Sequence, residues 1–180
     1  MNNTSSSLTI LPVLFEITIP KSVKNASYAF AESYVEKAVF EEGIANIPAG
    51  VLRNTHNLHT VIIPEKEDTL DGYVIGDYAF ANCGDMLSIT LPNSIVSIGA
   101  YAFQYFGATH ITIPDSVTSI GNSTFMGCTA LTSVTIPDSV TTIGEFAFAS
   151  CNSLTNVTLG KGVLTIDNRA FYSCDSLTSI

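Results

Sequence analysis

The sequence predicts a β-rich α/β solenoid, in which short strands stack in parallel and short helical or 3₁₀ turns join them. The first of three supporting observations is a core plug that recurs at Phe30, Leu52, Phe80, Phe103, Phe125, Phe148 and Phe171, at intervals of 22, 28, 23, 22, 23 and 23 residues. Secondly, Pro92, Pro114 and Pro137 (then Gly160), Gly76, Gly99, Gly121 and Gly144 (then Asp167), and Cys128, Cys151 and Cys174 follow the same ruler. A period of this size marks units that cannot bury their own apolar edges and must stack. Thirdly, charged residues are 13% and hydrophobic residues 46% of the 180-residue chain. That charge content is about half of an ordinary soluble domain's ~25%. Such a composition excludes disorder.

The elements follow in order. Residues 1–7 form a polar tail, expected to be disordered, and Leu8 to Phe15 is apolar enough to cap the first coil. Residues 8–180 form one domain of about seven 22–23-residue repeats. The long interval contains five extra residues within 65–75, where Glu65-Lys66-Glu67-Asp68-Thr69-Leu70-Asp71 forms a charged bulge. A regular unit starts at Leu131. Val134, Thr135 and Ile136 alternate as a half-buried strand does. Pro137 lacks an amide hydrogen and closes that strand, and Asp138 and Ser139 supply turn chemistry. Val140 and Ile143 point inward on a second extended segment, and Gly144 lets the chain turn again. The stretch from Ala147 to Cys151 reads as a helical or 3₁₀ turn with Phe148 as its plug.

The resulting pattern, Leu-x-x-Val-x-Ile-Pro-x-Ser-Val-x-x-Ile-Gly-x-x-Ala-Phe-x-x-Cys at 131–151, resembles the BspA-like, treponemal-type leucine-rich repeat. The match runs roughly from Leu8 to Ile180. It is specific from Gly76 onward and degenerate before it, where Leu52 replaces Phe and Glu41 stands in the Pro column. The resemblance implies a right-handed arc with a parallel sheet on its concave face. It also implies adhesion or protein recognition at the cell surface or outside the cell, with a protein partner and glycan as a further ligand class. That functional step is an analogy from fold.

Positions flanking each inward strand residue face out over the sheet. One column reads Glu16, Lys37, Thr60, Ser88, His110, Ser133, Asn156 and Ser179, and the other Thr18, Val39, Ile62, Thr90, Thr112, Thr135 and Thr158. The Thr run suits a structural ladder, whose stacked hydroxyls pair across neighbouring strands. The first column varies between copies, which is where a specificity would be written. Glu16, Lys37, Thr60, Ile62, His110 and Asn156 are therefore the candidate partner-binding residues. Two residues before each plug, Tyr28, Tyr78, Tyr101 and Phe146 form a secondary candidate, an aromatic stripe. Alternatively, each of these rings lies flat on the neighbouring coil.

No other chemistry is indicated. Sixteen acidic against seven basic residues, net charge −9, leave no footprint for nucleic acid. No apolar run is long enough to span a bilayer. The acidic bulge lacks calcium-loop spacing, and His56 and His59 lack partners at zinc spacing. Neither a metal nor a cofactor is expected. No nucleophile elbow, phosphate loop or metalloprotease motif occurs, so no enzyme is predicted. Cys128, Cys151 and Cys174 stack with parallel side-chain directions that suit a disulfide poorly. With Cys83 and Phe106 in the same column, they read as buried free thiols in a slot for a modest apolar group. The start of the chain lacks a signal-peptide pattern. Leu177 and Ile180 fall on an open sheet edge. From this edge comes an alternative function, a structural component of a larger assembly such as a virion or surface layer, joined end to end through the C-terminal coil.

Overall fold

A computed structural model describes residues 15–23, 26–66 and 72–180. The expected tail, all of the expected cap except Phe15, and residues 67–71 of the charged bulge lie outside the described residues. The strands are β1 (Glu16–Ile19), β2 (Lys37–Phe40), β3 (Thr60–Ile62), β4 (Tyr73–Ile75), β5 (Ile95–Ile98), β6 (Ser119–Ile120), β7 (Ser133–Thr135), β8 (Thr142–Ile143), β9 (Asn156–Thr158) and β10 (Thr165–Ile166). All pairings are parallel. The chain is a β-solenoid of about six turns, with β1, β2, β3, β7 and β9 as front strands and β4, β5, β6, β8 and β10 as back strands.

The back strands form one five-stranded sheet in the order β10-β8-β6-β5-β4. The register of β4 against β5 shifts between Tyr73 and Val74. The front strands do not form one sheet. β1-β2-β3 is one block and β7-β9 another, the latter extended by single bridges from His110 to Ser133 and from Asn156 to Ser179. Between the blocks, residues 87–91 neither donate nor accept a backbone hydrogen bond among the described residues. The expectation that every strand pairs with its neighbours fails there.

The helical and 3₁₀ turns are corrected as well, and with them the α/β class, because no helix occurs among the described residues. The reason is local. Each plug is flanked two residues before and two after by a left-handed residue, as with Tyr101 and Tyr105 around Phe103, Phe146 and Ser150 around Phe148, or Gly50 and Asn54 around Leu52. The non-glycine examples have φ between 54° and 60°. A left-handed L-residue costs roughly 1 kcal/mol and cannot propagate a right-handed helix. What offsets it is a ladder between coils. Amides of Tyr101, Phe103 and Tyr105 donate to the carbonyls of Asn122, Thr124 and Met126 at 3.0, 2.9 and 2.9 Å. The same three bonds join every successive pair of turns from Tyr28 to Tyr172, including the pairs on either side of residues 87–91.

The plugs fill the space between the sheets. Phe80, Phe103, Phe125, Phe148 and Phe171 stack with ring centroids 5.1–5.5 Å apart. This is an offset-stacking distance that adds to burial about 1 kcal/mol per pair. Leu52 takes the plug place in the irregular N-terminal part and is fully buried.

Candidate functional site

Strand alternation decides which groups reach the front surface. In β7, Val134 is buried while Thr135 is exposed and Ser133 half-buried, and β9 repeats this around Val157. Parallel register then aligns the variable positions. Glu16, Lys37 and Thr60 are consecutive partners, with Ile62 two residues further along β3. His110, Ser133, Asn156 and Ser179 form a second aligned row. The six predicted residues therefore fall into two groups, Glu16, Lys37, Thr60 and Ile62 on one side of the break and His110 and Asn156 on the other.

The two groups differ chemically. Lys37 Nζ lies 3.0 Å from Glu16 Oε1, so these charges largely satisfy each other, and Ile62 stands 45% exposed beside them. In the other group, His110 Nδ1 is 2.9 Å from the Thr109 hydroxyl, and the Ser179 hydroxyl donates to Asn156 Oδ1 at 2.7 Å. The predicted Thr ladder is displaced three residues toward the start of each repeat. Thr132, Thr155 and Thr178 send their hydroxyls to the carbonyls of Thr109, Thr132 and Thr155 at 3.3, 3.0 and 2.9 Å. They lie at the start of each strand, where the chain has not yet entered the sheet and a neighbouring carbonyl is in reach. Thr112, Thr135 and Thr158 are exposed, with side-chain hydroxyls that take no partner among the described residues. They are thus open to a ligand, contrary to the structural role expected of them.

Two shallow hollows lie over the front strands. One of about 340 Å³ is lined by His110, Thr112, Asp115, Ser133 and Thr135. The other, about 350 Å³, is lined by Val61, Ile62, Ile63, Glu65, Thr90 and Pro92. A third hollow of about 390 Å³, off the sheets, is lined by Glu32, Ser33, Tyr34, Asn54, His56 and Asn57. Asp115, Thr90 and Tyr34 were not among the candidates. Leu87, 69% exposed, was also missed, although its signal was visible: it occupies the column that Thr109, Thr132, Thr155 and Thr178 fill elsewhere.

The aromatic stripe is broken up. Tyr28 is 46% exposed, but its ring covers Gly50, where an added Cβ would come within 2.3 Å of it. Tyr78 and Tyr101 are half-buried and stack on each other at 4.6 Å and 1°. Arg53 covers Tyr78 at 5.0 Å, and Arg169 covers Phe146 at 5.6 Å. Gly50 and the buried Ser123 interrupt the row.

The cysteine column has a more specific role than an apolar slot. Cys83, Cys128, Cys151 and Cys174 donate their thiols to the carbonyls of Leu52, Phe103, Phe125 and Phe148 at 3.0–3.2 Å, and Thr55 does the same to Phe30 at 3.2 Å. Except at Phe106, the position uses a donor that ties its coil to the plug of the one before. All four thiols are free. Burial pushes Cys83 up to about 12. Interaction with the neighbouring Cys128 thiol raises Cys151, interaction with Cys151 raises Cys174, and burial adds to both. Cys83, Cys151 and Cys174 are therefore not poised as nucleophiles at neutral pH. Among the described residues no three His, Cys, Asp or Glu side chains gather as metal ligands, and no helix is long and apolar enough to cross a membrane.

The description "BspA type Leucine rich repeat region (6 copies)" fits residues 11–74 and 73–180. Among solved structures, the leucine-rich repeat protein TpLRR of T. pallidum superposes with a TM-score of 0.79 at 22% identity, covering 91% of this chain and 78% of that one. A leucine-rich repeat protein from Bacteroides ovatus gives 0.71 at 30% identity, over 92% of this chain and 48% of that one. A leucine rich cell surface protein from Faecalibacterium prausnitzii gives 0.51 at 22% identity, over 86% and 62%. The chain thus spans about half the length of the Bacteroides protein. No curated protein matches.

Proposed function

Because this chain belongs to the BspA-type leucine-rich repeat family, we propose that it is a non-enzymatic protein-binding or adhesion module that works at the cell surface through its front strands. One observation carries this reading. On an otherwise repetitive scaffold, the outward front positions change from an ion pair to aliphatic, imidazole and amide groups, while the hydroxyls of Thr112, Thr135 and Thr158 remain unused by the fold. Surface groups that the fold does not need are available to a partner. Protein is the proposed ligand class, and glycan the further one. A cell-surface location is supported by the name of the Faecalibacterium relative.

The test compares surface-protein capture by the immobilised wild-type chain and by a Lys37→Ala/Ile62→Ala/His110→Ala variant. A species retained by the wild type should be lost from the variant, and an identical captured set overturns the front-face reading. A second reading, a component of a larger assembly, draws on Leu164, Ile166 and Ile180, which are 82%, 44% and 62% exposed. That face would stack on a further repeat or on another chain alike. Light scattering tests it, and a monomer at all concentrations removes self-assembly.

A further inference from the structure

Residues 87–91 are unbonded on both sides of the front sheet, and the side that faces β3 has the properties of a specific slot. Between β3 and residues 87–91 the backbone bonds of a parallel pair are absent, whereas the turn ladder behind remains closed: Leu52 and Asn54 donate to Ala79 and Ala81 at 3.0 and 2.8 Å. The two coils are thus held in register at one end and left unzipped at the front. The described residues at the start of the insertion, Glu65 and Lys66, sit at the same junction. Glu65 reaches across to coil four, its two carboxylate oxygens accepting from the Asn93 amide at 3.1 Å and the Ser94 hydroxyl at 3.2 Å. Side-chain bonds replace backbone ones at this edge of the seam.

The surface there is also unlike the rest of the front face. Elsewhere the outward groups are mostly Ser, Thr and Asn, but Ile62 is 45% and Leu87 69% exposed. Ile62 and Thr90 line one hollow with Glu65 and Pro92, and the repeat register puts Leu87 three residues before Thr90, toward the other end of the seam. Five extended residues span roughly 17 Å. Unpaired backbone supplies direction-specific hydrogen bonds to an extended chain, and apolar side chains at intervals select its residues. Glu65 and the chain's net charge of −9 select a cation at the end near Pro92.

We propose that this seam binds an extended segment of about five residues from a partner protein, with apolar residues against Leu87 and Ile62 and a Lys or Arg toward Glu65. The proposal rests on the front-face reading above and narrows it to one place and one ligand conformation.

Hydrogen exchange on the free chain comes first. Amides at 87–91 should exchange far faster than those at 134–136, and equal protection overturns the seam. A phage-displayed random dodecapeptide library is then panned, and an enriched peptide is synthesised. It should carry alternating apolar residues with a basic one, slow exchange at 87–91, and bind at least about tenfold more weakly to Ile62→Asp and to Leu87→Asp. Both positions are exposed, so unchanged thermal midpoints verify folding, and Glu65→Gln should lower affinity while reducing its salt dependence. Peptides lost from His110→Ala or Thr135→Ala but retained by Ile62→Asp overturn the slot while leaving front-face recognition standing. Binding confined to a glycan array, with no peptide enriched, also overturns it. Failure of the triple-alanine capture comparison, by contrast, strikes the broader reading.

Discussion

The coils from Gly99 onward and those before it share one turn ladder but solve the rest of the problem differently. In the later coils four Phe rings in one column, thiols bonded to plug carbonyls and Thr hydroxyls bonded to strand-start carbonyls repeat with little change. In the earlier coils Leu52 replaces Phe, Thr55 replaces Cys, Glu16 and Lys37 pair, and the front sheet ends at β3. What both halves keep is the hydrogen bond; what varies is the group that makes it. A repeat of this kind is defined by donor and acceptor positions more than by residue identity, and the side chains released from that duty can diverge.

Substitutions can test that contrast. Phe125→Ala removes a plug with rings on both sides and should cost about 3–5 kcal/mol, measured by urea unfolding. A loss near the size of an exposed substitution would mean that the stack is not the core. Next is Gly127→Ala. The glycine has φ of 73°, and an added Cβ would come within 2.4 Å of the Tyr105 ring, so roughly 2 kcal/mol should be lost. Part of that loss should return in the Tyr105→Ala background. Strict additivity of the two would deny the contact.

The third test uses pH. The folded chain keeps Cys83 protonated up to about 12, against an ordinary value of 9.0. The unfolded thiol ionises first, so this contribution is complete below about pH 9 and declines as pH rises toward 12. Wild type should lose about 1 kcal/mol more than Cys83→Ala between pH 8 and pH 10. Equal losses would place the thiol in water. The smallest effect belongs to the Glu16–Lys37 pair. It is partly exposed, at 43% and 28%, so Glu16→Gln should cost no more than about 0.5 kcal/mol, and less in high salt.

Much of this fold was legible because periodicity encodes stacking directly. Plugs, prolines and glycines gave the coil, and Val134 against Thr135 gave the front strand's two faces. The turn conformation was not legible, since Ala-Phe-Ala reads as a helix former. Except at Gly50 and Gly127, the left-handed residues beside it are Tyr, Glu, Asn, Ser, Phe or Arg, most of which carry no glycine-like signal, and their conformation is fixed by carbonyls of the next coil that accept from their amides. The candidate site was legible as columns, because alternation predicts outward positions. Its division was not, since five inserted residues show where register is disturbed but not that a sheet will part. Leu87 could have been found by treating departures from the repeat as strictly in the Thr column as in the plug column.

The turn ladder has a mechanical consequence. Its bonds run from coil to coil, along the stacking direction, so a pull on the two ends loads them in tension and each junction in series bears the same force. The two junctions on either side of residues 87–91 keep the turn bonds but lack the front ones, and they should part before the others. Each coil that then unravels releases about 80 Å of chain. A surface-tethered array of this build would lengthen under shear from a fixed region inside it, and a segment seated beside β3 would act as a pin that raises the breaking force of that junction.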